Sequence, residues 1–256
     1  MPHSSLRPGL ARDGILNLRD LGGTPAADGM VVRDRVLLRA DALQRSSQET
    51  AIALHRHGVR RVLDLRDDTE RAETGAFLAA EDHTIEVCHV PVVDPAYVWE
   101  VHGVDIEGVL AHRYGDILEQ FGDRFRTAVE LVASADGGVA YHCAVGKDRT
   151  GLLTLLLLSV LGTPRDAIVA DYVRSARVNV LQVARLRVIG HPAGAATDED
   201  LAVGVWSARP ETIEATIDLL DDRHGGAVGY LRGVGVDDEV MATLRSRLLR
   251  PGDQRP

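Results

Sequence analysis

The chain has 256 residues, 45% of them hydrophobic and 26% charged, with a formal net charge of -9. That length can bury a sizeable core, in one large domain or two small ones, and the acidic balance argues against a nucleic-acid binder. It leaves room for an anionic substrate, because a local pocket can be positive on an acidic protein.

In chain order, the first residues, MPHSSLRPGLARDG, lack the apolar stretch of a signal peptide, so a cytoplasmic location is expected, with export by another route left open. Residues 35–39 read as a short strand. Ser46 to His57 reads as a helix, with Ser46 and Glu49 as a capping box and Gly58 as its end. Val59 to Leu65 (VRRVLDL) reads as a strand, Asp67 with Glu70 caps a short helix, and Thr84 to Val92 is another strand. Helices follow near Ile106 to Gln120 and Asp123 to Ala133. Val139 to His142 is a short apolar strand that runs through a polar loop into a helix, Thr150 to Leu161, which Gly162 and Pro164 stop. That helix holds the longest apolar run, too short for a bilayer, so no integral membrane segment is expected. Four more helices are read at Arg165 to Ser175, Val178 to Val188, Glu211 to Arg223 (started by Pro210) and Asp238 to Leu249. Gly190 to Gly204 reads as a connection, either part of a lid or a loose loop.

Strands alternating with helices predict an α/β fold, a central mostly parallel sheet flanked by helices, with the C-terminal half covering one face. The two cysteines, Cys88 and Cys143, make no disulfide framework, and the ten histidines show no zinc spacing. Neither a metal nor a cofactor is expected.

The chemistry is concentrated in YHCAVGKDRTG, residues 141–151, between a strand and a helix. A loop there can wrap the amides of Ala144, Val145, Gly146, Lys147, Asp148 and Arg149 around an anion at the positive end of the helix dipole. Cys143 is the candidate nucleophile, since a thiolate attacks phosphorus and a helix N-terminus favours negative charge. Arg149 supplies a planar fork for two phosphate oxygens. Gly146 lets the backbone turn inward. The Thr150 hydroxyl can bond the sulfur, and His142 can hold the loop. Lys147 adds positive potential or is a plain exposed lysine. A buried core cysteine beside a surface loop would leave the glycine, arginine and threonine spacing unexplained.

HCAVGKDRTG resembles the signature loop of the protein tyrosine and dual-specificity phosphatases. Lys147-Asp148 is closest to a bacterial branch, the group of the mycobacterial tyrosine phosphatase B. NLRDLGG at 17–23, RADAL at 39–43, VLDLR at 62–66 and YLR at 230–232 carry the likeness along nearly the whole chain. Leu18 stands where the group usually has phenylalanine, and Ala40 where it usually has serine. The resemblance implies one phosphatase domain, about 12–250, with a helical, lid-like segment around 176–208. It also implies action on phosphotyrosine and, in some members, on phosphoserine, phosphothreonine or phosphoinositides.

Four aspartates compete to protonate the leaving group. Asp64 ends a strand as Cys143 does, which puts both at one carboxyl edge if the strands are parallel. The resemblance also points to it. Asp148 sits within the loop and could donate the proton or position water. Asp94 and Asp116 rank lower, Asp116 as a solvated helix face. Arg19 and Asp20 brace the loop or form a salt bridge elsewhere. Cys88 reads as a core residue.

The expected activity is a metal-free, cysteine-dependent phosphatase with a phosphocysteine intermediate, acting on a phosphorylated protein or a phosphoinositide. A non-catalytic phosphate-binding module is the alternative. Arsenate reduction ranks third, because it needs a resolving thiol and only Cys88 is available.

Overall fold

The computed structural model describes residue 13 and residues 15–78, 84–94, 106–188 and 206–252. Its strands are β1 (Arg19–Asp20), β2 (Met30–Val32), β3 (Leu37–Asp41), β4 (Val59–Asp64), β5 (Glu86–His89), β6 (Gly138–Cys143) and β7 (Leu249–Pro251). Its helices are α1 (Gln48–His57), α2 (Asp68–Thr74), α3 (Ile106–Gln120), α4 (Gly122–Ala133), α5 (Asp148–Val160), α6 (Arg165–Val173), α7 (Ala176–Val188), α8 (Pro210–His224), α9 (Ala227–Gly233) and α10 (Asp238–Leu248). Five strands form one sheet in the order β1-β3-β6-β4-β5. All its pairings are parallel except β1 with β3. β2 and β7 make a separate antiparallel ribbon. The α/β architecture is the one the alternation of elements predicts.

Side chains alternate across the sheet, and each face has its own core. Leu37, Leu63, Val139 and Tyr141 face the larger core, which takes in leucines of α5 and residues of α4, α9 and α10. Leu38, Ala40, Val62 and Ala140 face a smaller core with Ala51 and Leu54 of α1, Phe77 and Ile15. Leu152, Leu153 and Leu155 to Leu158 are all buried, so α5 is apolar around its whole girth, as a helix enclosed on every side must be. This holds the N-terminus of α5 at the carboxyl edge of the sheet.

Local signals set most boundaries. Asp67 and Glu70 form the expected capping box, and Gly58, at φ 108°, ends α1. The cap of α1 is Ser47 rather than Ser46: Asp13 holds the Ser47 amide at 2.7 Å and hydroxyl at 2.9 Å, leaving that hydroxyl to accept from Thr50. The strand read at 35–39 lies two residues later, because Arg35 sits in a turn at φ 67° with its amide on Asp20. The helix read from Thr150 begins two residues earlier, at Asp148. The connection Gly190 to Gly204 lies outside the described residues. Among the described residues, no helix is long and apolar enough to cross a membrane.

Leu156→Ala removes a fully buried side chain of α5 and is expected to cost about 2–5 kcal/mol. Urea denaturation measures this, and a loss under about 0.5 kcal/mol would contradict the central place given to α5.

Candidate active site

β6 delivers Cys143 to the sheet edge, and the chain turns at once into α5. Gly146 makes the turn with φ 73°. A Cβ on it would lie 2.5 Å from the Ala40 carbonyl oxygen, so only glycine fits. The loop carbonyls are held on the outside. Gly146 O accepts from Arg39 Nη2 at 2.8 Å and Asn17 Nδ2 at 3.0 Å. Val145 O accepts from Gln182 Nε2 at 3.2 Å and Asn17 Nδ2 at 3.3 Å. On the inside, the Gly146 amide donates to Cys143 Sγ at 3.2 Å.

A buried polar frame fixes those outer donors. Asp171 pairs with Arg39 Nη1 at 2.5 Å and Arg19 Nε at 2.7 Å, and Arg19 also donates to Asn17 Oδ1. Burial would raise the Asp171 carboxyl, but the two guanidiniums outweigh it and hold it at about 2. Asp41 accepts from the Leu16 amide at 3.0 Å, the Asn17 amide at 2.8 Å and Gln182 Nε2 at 3.0 Å. Burial pushes the Asp41 carboxyl up. Arg19 joins this frame through its ion pair with Asp171 and its bond to Asn17, whereas Asp20 does not. One residue along the strand, Asp20 faces away and accepts from the amides of Gly22 and Arg35, with His57 Nε2 at 3.4 Å.

Arg149 is buried at the start of α5, forked on Glu70: Nη2 meets Oε1 at 2.8 Å, and Nη1 bonds Oε2. Burial opposes the charged guanidinium, but Glu70 and the Cys143 sulfur more than offset it, so its pKa is raised. Glu70 would be raised by burial and is instead held at about 2 by Arg149. Its place in the α2 capping box is what aims it.

The structure does not bring Asp64 to the thiol. The strands are parallel, as the shared-edge argument requires, but Asp64 is in register with His142, and Asp41 with Cys143. Neighbours in register share a face, so Asp64 and Cys143 point to opposite sides. Asp64 is fully buried, with Oδ1 2.8 Å from Arg66 Nε and Oδ2 2.6 Å from Arg66 Nη2. Burial would raise it, but those bonds prevail and hold it below the usual carboxylate range. His142 lies 3.8 Å from Asp64, and its Nδ1–H donates to the Cys143 carbonyl at 3.2 Å. Burial first, then the charges of Arg66 and Arg149, lower the imidazole to about 4.

Asp148, in the first turn of α5, does stand at the loop. Its Oδ1 accepts from the Tyr114 hydroxyl at 2.5 Å and lies 3.1 Å from Lys147 Nζ. Lys147 is buried rather than exposed, and also donates to the Ser207 carbonyl at 2.8 Å. The Thr150 hydroxyl is buried with no hydrogen-bond partner among the described residues, so the expected bond to sulfur is not formed here. Asp94 sits beside Arg124 at 3.4 Å, and Asp116 is on the exposed face of α3. Cys88 is half-buried in β5, separated from β6 by β4. Two strand spacings are about 10 Å, too far for a bridge to Cys143. Both thiols are free.

Sequence reasoning missed Glu70 as a partner of Arg149, having read it only as a cap. It also missed Asn17, Arg39 and Asp41 as loop supports, although all three lie in segments that carry the family likeness. Asp171, Gln182 and Tyr114 gave no local signal.

The loop thus sets a buried thiol, with the Gly146 amide on its sulfur, near the buried guanidinium of Arg149 at the N-terminus of a helix. The family model described as "Tyrosine phosphatase family" matches residues 10–250, and this chain belongs to that family. Similar proteins include one from Cupriavidus necator, named provisionally as a tyrosine-protein phosphatase, 30% identical over 95% of this chain and 89% of the relative. A tyrosine-protein phosphatase of Nostoc commune is 28% identical over 90% of this chain and 79% of its own. The triple specificity protein phosphatase PtpB of Mycobacterium tuberculosis is 29% identical over 92% of this chain and 97% of its own. The likeness to the mycobacterial group read from the loop is borne out.

The buried imidazole makes stability depend on pH. Unfolded, His142 takes a proton near pH 6.5; folded, it resists until about pH 4. Stability is therefore expected to fall as pH drops through that window, at up to about 1.4 kcal/mol per unit. Glu70 and Asp171, held at about 2, add losses below the ordinary carboxylate range. Urea midpoints from pH 8 to 3 test this: His142→Gln should flatten the upper part of the profile, and an unchanged slope would refute the buried neutral histidine.

Proposed function

We propose that the chain hydrolyses phosphotyrosine and related phosphomonoesters through a phosphocysteine intermediate on Cys143. The observation that carries this reading is the Gly146 amide aimed at the sulfur while the carbonyl of the same peptide, that of Val145, is held outside by Gln182 and Asn17. A phosphoryl group seated on the amides of residues 144–149 would lie over Sγ, with Arg149 closing the ring.

In the first step Sγ attacks phosphorus. The S–P bond forms, the bond to the leaving oxygen breaks, and that oxygen takes a proton from Asp148. In the second, the Asp148 carboxylate takes a proton from water, the water oxygen bonds phosphorus, the S–P bond breaks, and inorganic phosphate leaves. Asp148 is preferred to Asp64 because it is partly exposed beside the loop, whereas Asp64 is spent on Arg66. Thr150, whose hydroxyl has no partner among the described residues, is available to the departing sulfur in the second step.

Two relatives named as tyrosine-protein phosphatases support a phosphotyrosine substrate, and the mycobacterial one, named for triple specificity, supports a wider range. The free thiols fit a reducing, cytoplasmic setting. A non-catalytic module is disfavoured, because binding alone does not require a nucleophile, a carboxyl group and an arginine at one loop.

Cys143→Ser is expected to abolish release of phosphate from an aryl phosphate while the thermal melt is preserved. Acid quenching during turnover should trap phosphate on the wild type and not on the variant. Full activity in Cys143→Ser would end this reading.

A further inference from the structure

The environment of Asp148 is more elaborate than a surface carboxylate needs. Tyr114 of α3 and Tyr172 of α6 meet edge to face in the larger core, their hydroxyl oxygens 2.8 Å apart. The Tyr114 hydroxyl has one proton, and it reaches Asp148 Oδ1 at 2.5 Å. Tyr114 must then accept from Tyr172, which fixes the direction of the chain: Tyr172 to Tyr114 to Asp148. Burial, and after it the Asp148 charge, push both phenols up, so each stays a donor throughout the neutral range.

We infer that Tyr114 is a positioning residue for the leaving-group proton. Its hydroxyl, with Lys147 Nζ at 3.1 Å, occupies Asp148 Oδ1 and so assigns the proton to Oδ2. Oδ2 accepts no hydrogen bond among the described residues. A carboxyl group able to rotate would offer the proton on either oxygen and in many directions. Held on one oxygen by the Tyr114 hydrogen bond and the Lys147 ion pair, it keeps a single geometry, and orientation of this kind carries much of the rate in proton transfer. The same pinning serves the return step, in which Oδ2 takes a proton from water. Tyr172 acts one bond further away, by holding the Tyr114 proton toward Asp148. This inference rests on the assignment of Asp148 as the acid.

The test uses the full chain and two aryl phosphates, one with a good leaving group (p-nitrophenyl phosphate) and one with a poor one (phenyl phosphate). A poor leaving group needs the proton and a good one hardly does. Asp148→Asn should slow phenyl phosphate by about 10²-fold or more, and should widen the ratio of kcat/KM between the two substrates. Tyr114→Phe keeps the ring that fills the core and removes only the hydroxyl. It should widen the same ratio about ten-fold, acting on kcat with little change in KM, and Tyr172→Phe should widen it less. A structural role for Tyr114 would slow both substrates equally. If Asp148→Asn widens the ratio and Tyr114→Phe leaves it unchanged, the positioning role is overturned while the acid stands. If Asp148→Asn leaves the ratio unchanged, the acid assignment fails, and with it this inference.

Discussion

The site depends on which way one peptide faces. In the peptide between Val145 and Gly146, the Val145 carbonyl points outward to Gln182 and Asn17, and the Gly146 amide points inward to the sulfur. A peptide has a donor on one side and an acceptor on the other. A loop that presents donors to an anion must therefore present acceptors elsewhere, and buried acceptors need partners. The frame of Asn17, Arg39, Gln182, Asp41 and Asp171 supplies them. Without it the carbonyls would compete for the interior and repel any anion the loop is proposed to hold.

The frame also explains why so much charge is buried around one turn. Two guanidiniums share Asp171, and a third is forked on Glu70. Such pairs contribute little net stability after desolvation, but breaking one is costly, and this rigidity fixes the geometry of the loop. Under the proposed function, Arg149, already oriented by Glu70, would have little conformational freedom left to lose on binding a phosphate.

Much of this was legible in the sequence. The spacing of Cys143, Gly146 and Arg149 between an apolar strand and an apolar helix identified the loop, and the alternation of elements identified the sheet. The capping pair Asp67 and Glu70 was read correctly, but its second use was not, because a contact between residues 70 and 149 leaves no local trace. Asp64 shows a different limit. Its place at the end of a strand was right, yet which face its side chain takes depends on register across the sheet, and a shift of one residue reverses the answer. The same alternation separates Arg19, which joins the frame around the loop, from Asp20, which does not. Tyr114 and Asp171 lie on helices whose sequences look like ordinary core and surface, so only packing brings them to the site.

The most direct test is a crystal structure of the chain with a phosphate mimic such as tungstate. The account predicts the anion above the sulfur of Cys143, its oxygens accepting from the amides between Ala144 and Arg149 and from the Arg149 guanidinium. An anion bound anywhere else, or a loop that turns the Gly146 carbonyl toward the bound oxygens, would contradict it.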